Sequence, residues 1–340
     1  MKAAVFQGIG QPLAIAERPD PAPGPGEVLI RVGRAGICGS DLHMTSEPGS
    51  FIAPGTIIGH ELAGEVIALG QGVTQLRIGD RVAPMPFVGC GRCPACDAGR
   101  PHLCAEARID VVAGYCQYTR VGANDCVVLP PELSDADGAL IEPLAVGLQG
   151  VRKAQMPVGC RALVLGAGPI GLACAFWARR LGASRVAVMA NSRRRERFAH
   201  ALGATQFIAQ RETADPAAAV NDALGGPPEV VFEAVGMPGA IGQAMEYVAP
   251  RGTVIGLGFM TGADHYSCTT ALMKEVRVWF SMVYEKRDFQ YTAEVMAAGE
   301  HAPRAMITDT VSLEAMPAKF ESLRGATADC KVMVAPWGAS

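Results

Sequence analysis

Three glycines at the junction of an apolar run and a helical stretch constrain the fold more than any other feature. The apolar residues 162–165 are followed directly by Gly166, Gly168 and Gly171 in the pattern G-x-G-x-x-G. From about residue 159 onward, short apolar runs alternate with helical stretches. Fully apolar strands that alternate with helices are typical of a parallel sheet covered on both faces. The chain is therefore predicted to contain an α/β domain with a doubly wound parallel sheet.

The position of these glycines between a strand and a helix predicts a dinucleotide site. The first glycine makes the tight turn, the second lets a pyrophosphate approach the backbone, and the third lets the helix pack on the sheet. The N–H groups at the helix start, around Pro169 and Ile170, would then bind the phosphates. The alternative is a glycine-rich turn with a purely structural role.

The residues after the next apolar run, at 186–189, predict which dinucleotide binds. About 20 residues past such glycines, an acidic residue usually holds the adenosine ribose. Here the run is followed by no acid but by Asn191, Ser192, Arg193 and Arg194. A carboxylate would repel a 2′-phosphate, whereas small polar and guanidinium groups can bind one. We therefore predict NADP(H) over NAD(H), the alternative being that the arginines form only the solvated first turn of a helix.

The first 150 residues follow a different pattern. Short β-rich runs lie between Gly, Pro and Asp turns such as PAPGPGE and IGDRV. This is typical of an irregular all-β domain. After about residue 273 the pattern is mixed again, so the ends of the chain are predicted to form a second domain.

Four cysteines, Cys90, Cys93, Cys96 and Cys104, follow the spacing C-x2-C-x2-C-x7-C. Thiolates at this spacing can converge on one Zn²⁺ at about 2.3 Å. The residues between them are rich in Gly, Pro and charge, so a metal would have to hold the loop in shape. The N-terminus lacks the apolar core of a secretion signal, which predicts a reducing, cytoplasmic compartment where metal is favoured over disulfides. The alternative is two disulfides or four unrelated thiols.

Length and charge narrow the class of protein. A chain of 340 residues is long enough for two domains. The net charge of −3 favours neither nucleic acid nor an anionic membrane. The apolar residues 162–178 are interrupted by glycines and a proline, so a buried strand–turn–helix explains them better than a membrane span. The predicted partner is a small molecule.

Candidate ligands for a second metal lie elsewhere. Cys38 opens the segment CGSDLH, His60 and Glu61 lie in GHELAGE, and Glu142 lies in EPL. A thiolate, an imidazole and a carboxylate are the ligand types of catalytic zinc, which keeps one position open for substrate or water. These residues are distant in sequence, so spacing alone does not link them.

Taken together, these motifs resemble those of the zinc-dependent medium-chain dehydrogenase/reductase superfamily, and within it the sorbitol–threonine dehydrogenase branch. They occur in order along essentially the whole chain, from MKAAVF through GHELAGEV, the cysteine lobe and EPLAVGL to VLGAGPIGL. The resemblance implies a GroES-like catalytic domain at residues 1–148 and 275–340, with a structural-zinc lobe at 88–106. It also implies a Rossmann domain at residues 149–274 and a homodimer or homotetramer.

The resemblance also implies two zinc ions per chain. Cys38 and His60 would bind the catalytic zinc, and Glu61 or Glu142 would complete its protein ligands, directly, by exchange or through water. The four clustered cysteines would bind the structural zinc. For Glu61 the alternative is an ordinary buried salt bridge.

The implied activity is the interconversion of an alcohol and a carbonyl compound by hydride transfer to or from the nicotinamide. Zinc would polarise the carbonyl or lower the pKa of the alcohol. Ser40 would receive the alcohol proton, and the relay would continue to His43, whose imidazole suits exchange with solvent. Asp41 could orient a zinc ligand. The alternatives are a loop hydroxyl for Ser40 and a surface or structural histidine for His43.

Further cofactor contacts follow only from the resemblance. Val235, Leu257 and Gly258 follow strands that line the cofactor cleft in this family, and Lys331 matches a basic residue that can reach the pyrophosphate. Arg195 matches a basic position found even in NAD-dependent relatives, so it does not discriminate between the cofactors.

One segment departs from the polyol dehydrogenases of this branch. They carry an arginine near the sugar hydroxyls where this chain has Val283, and the loss of that donor should weaken polyol binding. The apolar residues that could line a pocket instead are Trp279, Phe280, Met282, Phe51 and Phe87. We predict an apolar secondary alcohol, cyclic and aryl alcohols included. The alternatives are a polyol or amino-alcohol dehydrogenase, a non-catalytic NADPH-binding protein, and aromatics that serve the core or a subunit interface.

Overall fold

The computed structural model describes residues 1–46, 52–109, 113–260 and 262–338, so Phe51 lies outside the described residues. The chain divides into two compact units. Unit 1 comprises Met1–Glu142 and Glu285–Ser340, and unit 2 comprises Pro143–Tyr284. The first division falls inside a long helix, whereas the predicted boundary lies at residue 148.

The strands of the described chain are numbered in order. They are β1 Lys2–Val5, β2 Ala14–Glu17, β3 Glu27–Gly36, β4 Glu61–Leu69, β5 Arg81–Pro84, β6 Tyr118–Gly122, β7 Cys126–Val128, β8 Arg161–Leu165, β9 Arg185–Ala190, β10 Gln206–Ala209, β11 Val230–Glu233, β12 Thr253–Gly256, β13 Arg277–Phe280, β14 Ile307–Ser312 and β15 Lys331–Ala335.

The α-helices are numbered in the same way. They are α1 Gly39–Met44, α2 Pro94–Asp97, α3 Asp135–Ala154, α4 Pro169–Arg180, α5 Glu196–Ala201, α6 Pro216–Leu224, α7 Ala240–Tyr247, α8 Cys268–Lys274, α9 Lys286–Ala297 and α10 Met316–Ser322. Within the described ranges, no helix is both long and apolar enough to cross a membrane.

Unit 1 is built on a mainly antiparallel sheet. Its strands lie in the order β14-β15-β3-β4-β5-β7, and β6 also pairs with β3. Two register shifts interrupt the pairing of β3 with β4, and such bulges bend a strand and increase its twist. The inward side chains of these strands form one core with Phe6 and Phe320. The irregular β-rich fold predicted beside the parallel sheet is confirmed.

Unit 2 contains a parallel sheet of six strands in the order β10-β9-β8-β11-β12-β13. The apolar residues of β8 after Arg161 are fully buried, as in a sheet covered on both faces. The strand order reverses between β8 and β11, which makes their carboxyl ends the topological switch point where ligands bind in such sheets. The predicted doubly wound α/β fold is confirmed.

Candidate active site

A thiolate, an imidazole and a carboxylate converge at one end of the β3–β4 pair. Ligand atoms of Cys38, His60 and Glu61 lie within 4.8 Å of one another. The register explains why they meet, because Gly36 at the end of β3 is opposite Glu61 at the start of β4. A Cβ atom on Gly36 would lie 2.1 Å from Glu61 Oε2. Glycine at this position therefore lets the carboxylate occupy the space beside β3.

This donor set fits zinc. One sulfur, one nitrogen and one oxygen from three residues, with a fourth position for substrate or water, is the pattern of catalytic zinc sites. Glu142, the other candidate carboxylate, lies on α3 and is buried. Among the described residues it does not belong to the group of converging ligands. The geometry therefore supports Glu61 as the carboxylate of this site and does not support Glu142 as a direct ligand.

Lys331 lies against Glu61 at the start of β15. Its Nζ donates to both carboxylate oxygens at 2.6 Å and to the carbonyl oxygen of Ile37 at 3.0 Å. Burial lowers the pKa of Lys331, but the Glu61 carboxylate and the Cys38 thiolate outweigh it and raise that pKa overall. The prediction that Lys331 contacts the pyrophosphate is therefore not supported, because its three N–H donors are used inside unit 1. A lysine that opens the apolar run KVMVA is itself a sequence signal for a buried ion pair.

His60 faces a buried carboxylate. Its Nδ1 lies 3.2 Å from Oδ1 of Asp41, whose side chain is 1% exposed. Burial lowers the pKa of His60, but the charges of Asp41 and Cys38 raise it well above its usual value. With Nδ1 beside Asp41, Nε2 is the ring nitrogen that His60 can offer to a metal. Asp41 therefore lies where the sequence predicted a residue that orients a zinc ligand.

The two residues predicted to move protons lie on α1. The hydroxyl of Ser40 donates to Sγ of Cys38 at 3.2 Å. His43 lies one turn further along the helix, with its side chain exposed. Ser40 thus lies beside a predicted metal ligand, and His43 is exposed to solvent. A relay that passes a proton from the metal site to solvent requires this order.

Tyr115 also belongs to this region, and the sequence analysis missed it. Its side chain is fully buried, and its hydroxyl donates to Oδ2 of Asp41 at 2.5 Å. Burial, and then the negative charge of Asp41, raise the pKa of Tyr115 well above its usual value. No local pattern reveals this contact, because 74 residues separate the two partners.

The four clustered cysteines form the second group of converging ligands. The sulfur atoms of Cys90, Cys93, Cys96 and Cys104 lie within 4.8 Å of one another. Cys104 Sγ accepts an N–H from Glu106 at 3.3 Å, and a backbone donor of this kind stabilises a thiolate. Burial raises the pKa of Cys96 to about 12, an effect that a bound cation would reverse. Four thiols with no open position fit a closed structural zinc site.

Residues from the start of α9 hold the cysteine lobe. Arg100 donates to Glu285 at 2.7 Å, and the backbone N–H of Lys286 donates to the carbonyl oxygen of Gly99 at 2.8 Å. Phe87 packs edge-on against His102, with ring centroids 6.0 Å apart. Phe87 is thus part of the contact between the lobe and its surroundings, and this packing gives no support to its predicted place in a substrate wall.

In unit 2 the glycine-rich turn has the geometry of a phosphate-binding loop. Gly166 has φ of +101°, and a Cβ atom on Gly171 would lie 2.0 Å from the carbonyl oxygen of Gly166. A Cβ atom on Gly168 would meet only the Arg195 guanidinium, at 3.9 Å, an ordinary van der Waals distance. Pro169 and Ile170 begin α4, and within the described part of the chain no side chain caps this helix start. The backbone donors there are oriented to bind an anion.

The other predicted cofactor contacts lie at the same carboxyl edge of the sheet. Val235 follows β11, Leu257 and Gly258 follow β12, and both strands belong to the sheet that contains β8. The buried carboxylate of Glu233 accepts the N–H groups of Val235 at 2.6 Å and Gly236 at 2.8 Å. Glu233 therefore holds the turn after β11 in a fixed conformation.

The basic residues after β9 differ in what they contact. Arg193 donates to Glu212 at 2.9 Å and to Glu196 at 2.8 Å. Arg194 is exposed. The guanidinium of Arg195 lies 3.5 Å from the carbonyl oxygen of Ala167, within the glycine-rich turn. Two carboxylates thus bind Arg193, whereas Arg195, which was predicted not to discriminate between the cofactors, lies beside the turn predicted to bind the phosphates.

Ser192 and Asn191 complete the segment after β9. Ser192, in an extended conformation, precedes the short 3-10 helix Arg193–Arg195, and Asn191 is exposed. Both polar side chains therefore lie at the end of β9, where the ribose of a dinucleotide is usually bound.

The apolar residues predicted to line a pocket lie on or next to an edge strand. β13 ends the six-stranded sheet, and the exposed fractions are 56% for Trp279, 69% for Phe280 and 63% for Met282. These exposed side chains favour the alternative in which the aromatics serve a subunit interface. Val283 has φ of +48°, a backbone conformation that β-branched residues rarely adopt.

Comparison with known proteins gives two family matches. The model described as "Alcohol dehydrogenase GroES-like domain" matches residues 24–131, and that described as "Zinc-binding dehydrogenase" matches residues 169–298. The sorbitol dehydrogenase of Gallus gallus is 36% identical to this chain, in an alignment that covers 78% of each of the two chains. The L-galactonate-5-dehydrogenase of Escherichia coli is 31% identical and covers 90% of each chain.

Solved structures are similar over almost the whole chain. A Sinorhizobium meliloti protein solved with bound NADP has a TM-score of 0.87 at 30% identity, covering 98% of this chain and 99% of that one. A chain from Escherichia coli CFT073 solved with NADH has a TM-score of 0.89 at 27% identity, with the same two coverages. Both dinucleotides thus occur among proteins of this fold.

Proposed function

We propose that this chain, which belongs to the family of zinc-dependent medium-chain alcohol dehydrogenases, interconverts a secondary alcohol and its ketone with NADP(H). The observation that carries the proposal is the convergence of Cys38, His60 and Glu61 within 4.8 Å. A zinc ion bound there would polarise the carbonyl and lower the pKa of the alcohol. NADP(H), when bound, would supply or accept the hydride.

The protein's own groups then have separate tasks. Cys38, His60 and Glu61 hold the metal, and Lys331 balances the charge of Glu61 inside the protein. Ser40, 3.2 Å from the Cys38 sulfur, is placed to take the alcohol proton. His43, exposed on the same helix, is placed to exchange it with solvent.

Metal analysis tests the zinc assignments. We expect two zinc ions per chain, one at the three-residue group and one at the four cysteines. His60→Ala should lose one zinc and the activity, and Cys96→Ser should lose the other zinc and destabilise the lobe. A single zinc in the unmodified protein, unchanged by His60→Ala, would remove the basis of the proposed chemistry.

The proposed preference for NADP(H) is supported by the segment after β9. No acidic side chain stands among residues 190–195, and a 2′-phosphate needs cationic or polar partners rather than a carboxylate. Asn191, Ser192 and Arg194 are the candidates, since carboxylates already hold Arg193.

Kinetics with the two cofactors test this preference. We expect a higher kcat/KM with NADPH than with NADH. Arg194→Ala should lower the NADPH value by about tenfold or more and leave the NADH value unchanged, because a charged hydrogen bond contributes about 1.5–3 kcal/mol. Arg251→Ala, at another exposed arginine of unit 2, is the control. A higher kcat/KM with NADH contradicts the preference.

Two substrate classes have separate support. Val283 in place of a basic residue favours an apolar secondary alcohol, because buried sugar hydroxyls would lack a donor. The relatives that act on sorbitol and L-galactonate, according to their names, favour a polyol instead. A spectrophotometric panel of ketones and alcohols of graded polarity decides between them. We expect apolar substrates to have the higher kcat/KM, and a higher value for sorbitol would support the second class.

A homo-oligomer is also part of the proposal. The exposed apolar side chains of Trp279 and Phe280 lie on an edge strand of the sheet in unit 2. An unpaired strand edge and an exposed apolar patch both favour association with another chain. A second copy of this chain offers the same edge, so the two edges can pair about a two-fold axis.

A further inference from the structure

Tyr115 lies next to the segment that carries His60, and the proposed chemistry does not use it. The phenol is completely buried, and its hydroxyl lies 2.5 Å from Asp41 Oδ2 and 3.3 Å from the carbonyl oxygen of Gly36. The other carboxylate oxygen of Asp41 lies 3.2 Å from His60 Nδ1. Phenol, carboxylate and imidazole thus form a continuous chain of polar groups that ends at a predicted metal ligand.

The backbone around Tyr115 is hydrogen-bonded to the two residues that precede His60. The N–H of Gly114 donates to the carbonyl oxygen of Gly59 at 2.8 Å, and that of Tyr115 donates to Ile58 at 3.1 Å. Gly59 has φ of +98°, and a Cβ atom there would lie 2.7 Å from the Tyr115 ring. The ring therefore packs against the residue that precedes His60, and the hydroxyl contacts Asp41, the carboxylate that faces His60.

Asp41 is buried, and a buried carboxylate needs hydrogen-bond partners to offset its lost contact with water. The contacts of Thr45 near Asp41 use the main-chain oxygen of Asp41, not its carboxylate. The Tyr115 hydroxyl donates directly to Oδ2 and so restrains the orientation of the carboxylate. In this orientation Oδ1 lies 3.2 Å from Nδ1 of His60, so the imidazole has Nε2 to offer to a metal.

We propose that Tyr115 is a positioning residue of the metal site: it orients Asp41, which in turn orients His60. This inference rests on the proposed role of Cys38, His60 and Glu61 as zinc ligands. Tyr115 touches neither substrate nor metal, so its effect is on metal affinity and ligand geometry. Partners of this kind typically contribute 10- to 100-fold to metal affinity or activity.

The variant Tyr115→Phe tests the inference, because it keeps the buried ring and removes only the hydroxyl. Tyr118→Phe is the matched control: Tyr118 opens β6 and packs edge-on against Trp337, with ring centroids 5.3 Å apart. Zinc retained per chain is measured in the full-length protein over a series of zinc–chelator buffers. We expect Tyr115→Phe to release one of its two zinc ions at about tenfold higher free zinc than the unmodified protein. Tyr118→Phe should match the unmodified protein.

His60→Ala identifies which zinc is released, because it should retain only the zinc of the four cysteines. If the unmodified protein and His60→Ala hold the same amount of zinc, the proposed metal site fails, whatever Tyr115→Phe shows. If His60→Ala loses one zinc but Tyr115→Phe releases zinc like the unmodified protein, the inference about Tyr115 is overturned.

A spectroscopic measurement distinguishes a change in the geometry of the metal ligands from a general loss of packing around the site. In Co²⁺-substituted protein, Tyr115→Phe should shift the ligand-field absorption of the site, and Tyr118→Phe should not. Asp41→Asn provides a second route should Tyr115→Phe fold poorly, since it should also weaken zinc retention. The double variant should lose less than the two single losses combined, because both changes break the same chain of groups. Additive losses would contradict the inference.

Discussion

At the scale of single residues, Glu61 combines two interactions that usually occur apart. It belongs to the group of converging ligands, and both of its oxygens accept from Lys331. A carboxylate has about four lone-pair positions, so the ion pair leaves some free for a metal. The lysine thereby places a positive charge against a carboxylate that is 0% exposed.

Lys331→Met should destabilise the protein by about 3–5 kcal/mol, because it leaves a buried carboxylate without its partner. Lys2→Met is the control: it breaks the exposed pair of Lys2 with Glu314, and solvent screens such pairs, so its loss of stability should be much smaller. Urea unfolding of the metal-loaded protein measures both. Equal losses for the two variants would show that the buried pair does not stabilise the fold.

The pH dependence of this contribution has a definite sign. The pKa of Lys331 is raised above 10.5 in the folded protein. The stabilisation is therefore present in full below pH 10.5 and is lost as the pH rises through the folded pKa. The difference between the unmodified protein and Lys331→Met should stay constant through the neutral range.

At the scale of elements, two glycines in the turn between β8 and α4 are expected to have different roles, one in stability and one in cofactor binding. Gly171→Ala places a Cβ atom 2.0 Å from the carbonyl oxygen of Gly166, whereas Gly168→Ala makes only an ordinary van der Waals contact with Arg195, at 3.9 Å. We expect Gly171→Ala to lower the free energy of unfolding by about 1–3 kcal/mol through overpacking. Gly168→Ala should keep its stability and raise the Kd for NADPH about tenfold or more, because the added methyl blocks the pyrophosphate.

Thermal unfolding and cofactor titration of these two variants measure the separate effects. If Gly168→Ala binds NADPH like the unmodified protein, the glycine-rich turn is not the pyrophosphate site.

The start of helix α3 gives a second prediction at this scale. The carboxylate of Asp137 accepts two N–H groups from Arg304 at 2.7 and 2.9 Å, and also the hydroxyl of Ser134 at 2.7 Å. Burial raises the pKa of Asp137, but these donors outweigh it and lower the pKa below 3.8. The stabilisation is therefore present in full above pH 3.8 and is lost as the pH falls through the lower, folded pKa.

Asp137→Asn should lower the free energy of unfolding by about 1.5–3 kcal/mol near neutral pH, the usual range for hydrogen bonds to a charged group. The loss should shrink below pH 3.8. Asp135→Asn, on the same helix but with a half-exposed pair to Arg81, should cost less. Urea unfolding at a series of pH values checks both, and a loss independent of pH would rule out the ionised carboxylate as its source.

At the scale of the whole molecule, the open edge of the sheet in unit 2 predicts association. Phe280→Glu adds a charge to an apolar edge and should shift the protein toward monomers. Val158→Glu is the control, since Val158 is also apolar, is 92% exposed and lies in the same unit but outside β13. Light scattering after gel filtration measures the mass. An unmodified protein that is already monomeric would contradict the proposed homo-oligomer.

Much of the fold was predictable because its causes are local. The apolar run of β8, the glycines after it and the helical stretch of α4 lie within twenty residues of one another, and each acts through its own backbone or side-chain chemistry. The cysteine lobe was predictable for the same reason, as its spacing limits where the sulfur atoms can meet. The roles of the individual site residues stay predictions.

The sequence by itself determined the two kinds of sheet, the glycine-rich turn and the two sets of residues with metal-binding chemistry, since periodicity and side-chain chemistry are properties of short segments. Only the tertiary structure decided that Lys331 forms an ion pair with Glu61, that Tyr115 donates a hydrogen bond to Asp41, and that Trp279 lies on an edge strand of the sheet. The two polar contacts join residues 270 and 74 positions apart. Their energy depends on burial and on packing across the sheet, which no local pattern of residues encodes.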